Sequence, residues 1–305
     1  MIDILLSTYN GERYLLEQLD SLFNQTCTDF KILIRDDGSK DGTLKIIDDY
    51  KKKYPDAIQI IENNGINLGS TNSFFTLLQH STSELIMFCD QDDQWKRDKL
   101  EIFIDYYNKN ILNKKQPILI HSAVEVVDSN LCTITDLTDI FNKEKCGMEK
   151  TLKWQILQND VTGCTMMINS AMRDIINKIG FNDKLVIQHD WFIAQIAYLY
   201  GNKFYIPMQT IKYRQHSNNV LGAQQLSFLQ RIHYKCKRGG AYPFYNQITK
   251  LLACKIPTTP EIEVLLKDFS ALKEKNKLKR ILWHITHNFF RDGNFLYKIY
   301  QIIVC

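Results

Sequence analysis

The sequence predicts an α/β fold: a mostly parallel sheet covered by helices on both faces, followed by a helical extension. Three observations lead there. Short apolar runs rich in β-branched residues alternate with stretches of helical periodicity through roughly the first 120 residues, and strand, helix, strand in that order makes right-handed parallel units. The runs are apolar almost throughout, as strands buried on both faces must be. Several end abruptly in polar residues, and ligands of such sheets bind outside the carboxyl ends of the strands.

The elements follow in order. Residues 2–6 (IDILL) read as a strand, and 12–23 place Leu15, Leu16, Leu19, Leu22 and Phe23 at helical spacing. Residues 30–34 (FKILI) form the second strand and run into Asp36-Asp37-Gly38, after which a helix carries Leu44, Ile46 and Ile47 inward. The spacing Asp37, Ser39, Asp41, Gly42, Asp48 imitates a calcium-binding EF-hand loop. That loop needs a helix on each side and a Glu at its last position; KILI is a better buried strand than an incoming helix, and residue 48 is Asp. A third strand at 57–62, a helix through TNSFFTLLQH, a fourth strand at 84–89, a helix at 96–108 and a strand at 117–121 continue the alternation. Beyond 122 the pattern predicts a loop over 128–150, a strand over 161–168, a helix over 190–200, a strand over 209–216, and helices near 225–250, 260–275 and 277–291.

With 45% hydrophobic and 24% charged residues the 305-residue chain has globular composition, which excludes disorder. Its eight cysteines include no C-x-x-C pair and sit mostly in apolar surroundings, so neither a zinc site nor a disulfide framework is expected and a reducing cytoplasmic setting fits. The N-terminus lacks a basic, then apolar, leader pattern, and no apolar run approaches the roughly 18 residues of a spanning helix. The net charge of +4 hides an asymmetry: residues 223–305 hold 14 Lys+Arg against 5 Asp+Glu, whereas acidic residues outnumber basic ones before them.

Three polar clusters close the strands: Ser7-Thr8-Tyr9-Asn10, Asp36-Asp37, and Asp90-Gln91-Asp92-Asp93. The first alone reads as a capped turn. Together, Tyr9 and Asp37 suit a nucleoside, the ring stacking on a base and the carboxylate accepting from a base N–H or a ribose hydroxyl. Asp90 and Asp92 are hard oxygen ligands suited to Mg2+ or Mn2+ that takes its other ligands from phosphate and water, and such an ion would neutralise a departing diphosphate. An acidic cap for the helix at 96–108 is the plainer alternative.

STYNGERYL, DDGSKDGT and FCDQDDQW, in that order and spacing, resemble the nucleotide-sugar-binding half of family 2 glycosyltransferases of the GT-A type, whose sheet is Rossmann-like. VTGCTMM, QHDWF and YRQHSNNVLG resemble the rhamnosyltransferase-like members that build bacterial capsule and O-antigen chains. The resemblance implies a catalytic domain over 1–222 and leaves 223–305 as a basic helical extension. It puts nucleoside contacts on Ser7, Thr8, Tyr9 and Asp37, with Asp90 also on the donor, the family's D-x-D metal ligands on Asp90 and Asp92, and a further metal or diphosphate ligand on His216. The general base falls on Asp190, preceded by His189 where the family commonly has Glu; Asp190 could equally serve as a helix cap. Gly163 would admit the donor sugar or acceptor closely, and Trp191 or Trp95 would stack on a sugar or lie in the core. Arg35 and Arg214 would meet the diphosphate or form surface ion pairs.

The implied activity is inverting transfer of rhamnose from dTDP-rhamnose, or alternatively of a hexose from its UDP-sugar, to a lipid-linked or oligosaccharide acceptor. Lys273, Lys275, Lys277, Lys279 and Arg280 with Trp283, Phe289, Phe290 and FLYKIYQIIV would let the extension lie peripherally on an anionic inner leaflet, or it packs on the catalytic domain. Nucleic acid is excluded as a partner for want of any binding motif, and a carboxylate rim repels phosphate unless a metal is present. A nucleotidyltransferase would need a basic Gly-rich loop where this chain has STYNGE.

Overall fold

Alternate residues of the first strands enter opposite cores, which fixes a sheet covered on both sides. In the computed structural model, which describes residues 1–63, 65–143, 151–180, 185–216, 242–253 and 257–290, Leu5, Leu33, Ile86 and Phe88 face one apolar cluster, while Ile4, Leu6, Ile32, Ile34, Met87 and Cys89 face the other. The strands are β1 (Ile2–Thr8), β2 (Phe30–Asp36), β3 (Ile58–Ile60), β4 (Leu85–Asp90), β5 (Gln94–Trp95), β6 (Ile118–Val127), β7 (Met166–Asn169) and β8 (Asn202–Arg214). They form one sheet in the order β3-β2-β1-β4-β7-β6-β8-β5.

The first four neighbours are parallel. The register sets Thr8 beside Asp36 and Ser7 between Arg35 and Asp90, so the polar clusters share one rim. The far half is mixed: β7 runs antiparallel to both β4 and β6, and β5 antiparallel to β8. Helices α1 (Leu15–Phe23), α2 (Thr43–Lys53) and α4 (Lys99–Asn110) cover one face; α3 (Gly69–His80), α6 (Leu152–Leu157), α7 (Ser170–Ile179) and α8 (His189–Tyr200) cover the other.

Two expectations are corrected. The stretch 128–150 is not all loop, because α5 (Thr135–Lys143) forms within it and packs on β6. There the Asn142 side chain accepts from Val124 N–H at 3.0 Å and donates to Val124 C=O at 2.8 Å, doing the work of a neighbouring strand. The strand expected over 161–168 begins only at Met166, since Gly163–Thr165 wind into a 3-10 turn whose Thr165 N–H and hydroxyl both donate to Thr162 C=O.

Within the extension, α9 (Tyr242–Ala253), α10 (Pro260–Ala271) and α11 (Lys277–Thr286) are described; FLYKIYQIIV and 217–241 lie outside the described residues. Tyr245, Ile248, Leu251, Leu266, Phe269 and Phe289 join the same core as Phe192 and Ile196 of α8. Gln247 ties the two parts together by accepting from Ile187 N–H at 2.8 Å and donating to Gln195 at 2.9 Å. The Phe269 ring sits among Tyr245, Phe289 and Trp283 at 5.0, 4.9 and 5.8 Å between centroids. Phe269→Ala is expected to lower the unfolding free energy by about 3–5 kcal/mol within one cooperative urea transition. A separate early transition instead would show that the extension folds apart.

Candidate active site

Residues 8–12 and 36–43 are sewn together at the rim. Thr8 Oγ1 donates to Asp36 Oδ2 at 2.8 Å, and Asp36 Oδ1 accepts from the N–H groups of Gly38 and Ser39 at 3.0 and 2.8 Å. Asn10, at φ 49°, accepts Lys40 N–H through its side chain while its own N–H donates to Ser39 Oγ, both at 2.8 Å. Asparagine tolerates that left-handed geometry better than most residues. Glu12 N–H donates to Asp41 and Gly42 N–H to Glu12. Asp41 is therefore consumed by backbone and by Thr43, as a turn and helix start require and a calcium loop would not allow. Tyr9 stands out from this frame with half its surface exposed.

Asp37 lies deeper than a surface contact. Its Oδ1 accepts from Arg35 at 2.5 Å and Leu68 N–H at 2.8 Å, and its Oδ2 from Gly69 N–H at 2.7 Å, at the start of α3. Arg35 also donates to Ser73 and to Ile66 C=O. Neither Arg35 nor Arg214 forms the surface ion pair that the sequence left open, since each is about 1% exposed.

The loop after β4 has two layers. Gln91 faces the first rim loop: its Oε1 accepts Tyr9 N–H at 2.8 Å and its Nε2 donates to Tyr9 C=O at 3.0 Å. A Cβ on Gly11 would lie 2.2 Å from that Oε1, so this amide occupies the space a side chain would need. In the outer layer Asp92 Oδ2 lies 2.9 Å from His216 Nε2, and the His216 ring rests on Tyr14 at 4.9 Å. Arg214 ties the loop down by donating Nε to Asp92 C=O at 2.7 Å, its backbone N–H to Asp93 Oδ1 at 3.0 Å, Nη1 to Ser129 C=O and Nη2 to Glu17.

The inner layer holds Asp93, Cys164 and Lys99, all buried. Lys99 Nζ donates to Cys164 C=O at 2.6 Å and lies 3.9 Å over the Trp95 ring; burial lowers its pKa to about 8. Asp90 bridges the layers. Burial, then the charges of Asp92 and Asp190, raise its pKa to about 7. Asp90, Asp93 and the Cys164 thiol bring their ligand atoms within 4.8 Å of one another. Within it Asp90 is partly buried, whereas Asp93 and Cys164 are buried and the thiol is pushed well above the usual range by burial. Asp92 and His216 pair with each other in the outer layer and lie outside that group, although carboxylates with an imidazole suit Mn2+, or Mg2+, better than a set containing a thiol.

Asp190 lies in the first turn of α8, buried, with Oδ1 accepting Trp191 N–H at 2.7 Å. His189 turns inward between Phe74 and Phe88, at 4.3 and 5.4 Å, and burial lowers its pKa to about 3, so the ring is neutral. The close approach that Gly163 permits is made by this ring: a Cβ there would lie 2.7 Å from His189 Nε2. Of the two readings of the indoles, the structure puts both in the core. Trp191 Nε1 donates to Gln155 C=O at 2.9 Å, and Trp95 is covered by Lys99. The sequence reading passed over Gln91 and Lys99. Lys99 had a signal, because it shares an i, i+4, i+8 face with Phe103 and Tyr107, both core residues.

The glycosyl transferase family 2 model matches residues 3–176. The chain belongs to that family. The dTDP-rhamnosyl transferase RfbG of Shigella flexneri is 31% identical to this family 2 chain over 229 residues, 72% of this chain and 74% of the relative. The poly(ribitol-phosphate) beta-N-acetylglucosaminyltransferase TarS of Staphylococcus aureus is 31% identical over 114 residues, 36% of this chain and 20% of its own. Residues 1–349 of TarS in complex with UDP-GlcNAc share the fold at a TM-score of 0.59 and 16% identity, covering 93% of this chain and 72% of that one. The mannosyltransferase PcManGT from Pyrobaculum calidifontis, in complex with GDP-Man and Mn2+, does so at 0.56 and 17% identity, covering 99% and 84%. The family 2 chain is a glycosyltransferase with a GT-A-type sheet and a helical C-terminal region.

Gly163→Ala is expected to destabilise the protein by about 1–3 kcal/mol. Adding His189→Ala should recover part of that loss, and a double-mutant cycle of urea midpoints measures the coupling. Asp90 binds its proton more tightly in the folded chain, about 7 against 3.8 unfolded. In metal-free protein its stabilising contribution is therefore complete below about pH 4 and is lost as pH rises through 7. The difference in urea stability between wild type and Asp90→Asn should shift in that sense across this window.

Proposed function

We propose that the chain transfers rhamnose from dTDP-rhamnose to a saccharide acceptor with inversion at the anomeric carbon, the acceptor being a lipid-linked intermediate of a bacterial surface polysaccharide at the cytoplasmic face of the membrane. The observation that carries this reading is the nearness of Asp190 to Asp90, whose pKa is raised first by burial and then by the charges of Asp92 and Asp190. A candidate base near a candidate metal carboxylate at the carboxyl rim of the sheet supports the reading, since such folds bind ligands there. The likeness to a dTDP-rhamnosyl transferase along most of both chains supports the donor. A UDP-sugar is the second reading, supported by the TarS complex with UDP-GlcNAc.

In this reading the exposed Tyr9 ring lies on the base with Ser7 beside the nucleoside, and Thr8 and Asp37, buried behind them, hold that wall in place. Asp90, Asp92 and His216 would hold Mg2+ or Mn2+, whose charge would favour the ionised form of Asp90 that burial and the neighbouring carboxylates disfavour. When bound, the ion supplies neutralisation of the departing diphosphate. Asp190 accepts the proton of the acceptor hydroxyl as its oxygen bonds to the anomeric carbon and the bond from that carbon to the diphosphate breaks on the opposite face. A hydroxyl is too weak an acid to attack without such a base. Arg214 positions Asp92 and Asp93 through the backbone of the loop.

Calorimetric titration of dTDP and UDP, each with and without Mn2+, tests the assignment; tighter, Mn2+-dependent dTDP binding is expected, tighter UDP binding would replace the donor, and binding of neither would overturn the reading. Asp190→Asn should slow transfer by about a hundredfold to ten-thousandfold while leaving nucleotide affinity unchanged. Asp92→Ala should remove the Mn2+-dependent part of that affinity. Equal loss of affinity in both variants would reverse these roles.

A further inference from the structure

Helix α11 is turned inside out. Its polar residues Arg280 and His284 are buried, whereas Leu278, Leu282 and Ile285 are 76%, 59% and 52% exposed. Spaced at i, i+4 and i+7, these three form one stripe along the helix. The orientation is fixed from below. His284 Nδ1 lies 2.8 Å from Phe289 C=O and its Nε2 lies 3.3 Å from Tyr245 Oη, while its ring meets Phe269 and Phe290 at 6.0 and 6.3 Å. Rotating the helix to hide the leucines would strip a buried imidazole of these partners, which is more costly than exposing apolar surface.

The surroundings of the stripe are cationic. At 100° per residue, Lys277 and Lys279 flank Leu278 on its two shoulders, and Lys275 leads into the helix; all three are exposed. Among the described residues from 273 to 286, Glu274 carries the sole negative charge. An apolar stripe with lysines on its shoulders matches a surface that is hydrocarbon at one depth and anionic at the next, because lysine stems reach sideways to the headgroups while their neighbours insert. A second copy of the chain fits worse, since a self-complementary contact would bring these lysines against their own counterparts. No helix among the described residues is long and apolar enough to cross a membrane, so the contact would be parallel to the surface.

We propose that the Leu278, Leu282, Ile285 face of α11, with Lys275, Lys277 and Lys279, docks on an anionic lipid leaflet. This surface lies outside the transfer site and gives a physical form to the membrane-bound acceptor proposed above. The test uses the full chain and vesicles, with no donor or acceptor, so it fails or succeeds independently of the glycosyl reading. Wild type should sediment with vesicles of phosphatidylcholine containing phosphatidylglycerol and much less with phosphatidylcholine alone. Lys275→Gln with Lys279→Gln should weaken binding by roughly 25-fold, about fivefold for each lysine near an anionic surface. Leu278→Ser with Leu282→Ser should abolish retention on the same vesicles. Both pairs lie on the surface, and an unchanged urea midpoint shows that the fold is kept. Equal binding to neutral vesicles, or variants that bind as wild type does, would overturn the proposal. A wild-type dimer in light scattering that the serine variant loses would overturn it in favour of a second copy.

Discussion

The rim of this protein depends on one buried guanidinium. Arg214 ends β8, and its donors reach Asp92 C=O, Ser129 C=O and the Glu17 carboxylate while its face lies 4.4 Å from the Tyr14 ring. A buried charge is tolerated only when its hydrogen bonds are met, so the strand, α1, the turn at 128–132 and the acidic loop each hold the others in register. His216 follows two residues later and is delivered to Asp92 by the same strand end. Removing the guanidinium would leave Glu17 and two carbonyls without their donor, which makes this position far less tolerant than its distance from the proposed chemistry implies.

The second organising fact is a surplus of negative charge in little space. Asp90, Asp92, Asp93 and Asp190 lie near one another with Lys99 as the cation beneath them, and burial first, then the neighbouring carboxylates, raise the pKa values of Asp90 and Asp93. Such a cluster lowers the stability of the empty fold, a pattern typical of sites that await a ligand. The two layers divide the task. Asp93, Cys164 and Lys99 form the buried floor, whereas Asp92 and His216 are partly exposed above it and bonded to each other.

Much of this was legible in the chain because strands buried on both faces announce themselves, and their ends mark the rim. The parallel half of the sheet and the three polar clusters follow from those signals. The antiparallel β7 was not legible, since a four-residue apolar segment carries no sign of its direction. Helix α5 was hidden because its anchor is a pair of side chains, Thr138 and Asn142, bonding to a strand edge. At the site, residue type indicated chemistry but not depth. Trp191 and Arg35 carry groups suited to a sugar and a phosphate, and tertiary packing buries both. Lys99 shows the converse, a residue whose phase on α4 marked it for the interior while its charge argued for the surface.

The amide of Gln91, paired with both backbone groups of Tyr9, fuses the first rim loop to the acidic loop without any covalent link. Residues 8–12 and 90–93 are therefore tied to each other through this one amide. Because the amide pairs with backbone, the tie survives a change of the Tyr9 side chain, and a loop graft meant to change which nucleotide is preferred has to keep Gln91 whatever residue replaces Tyr9.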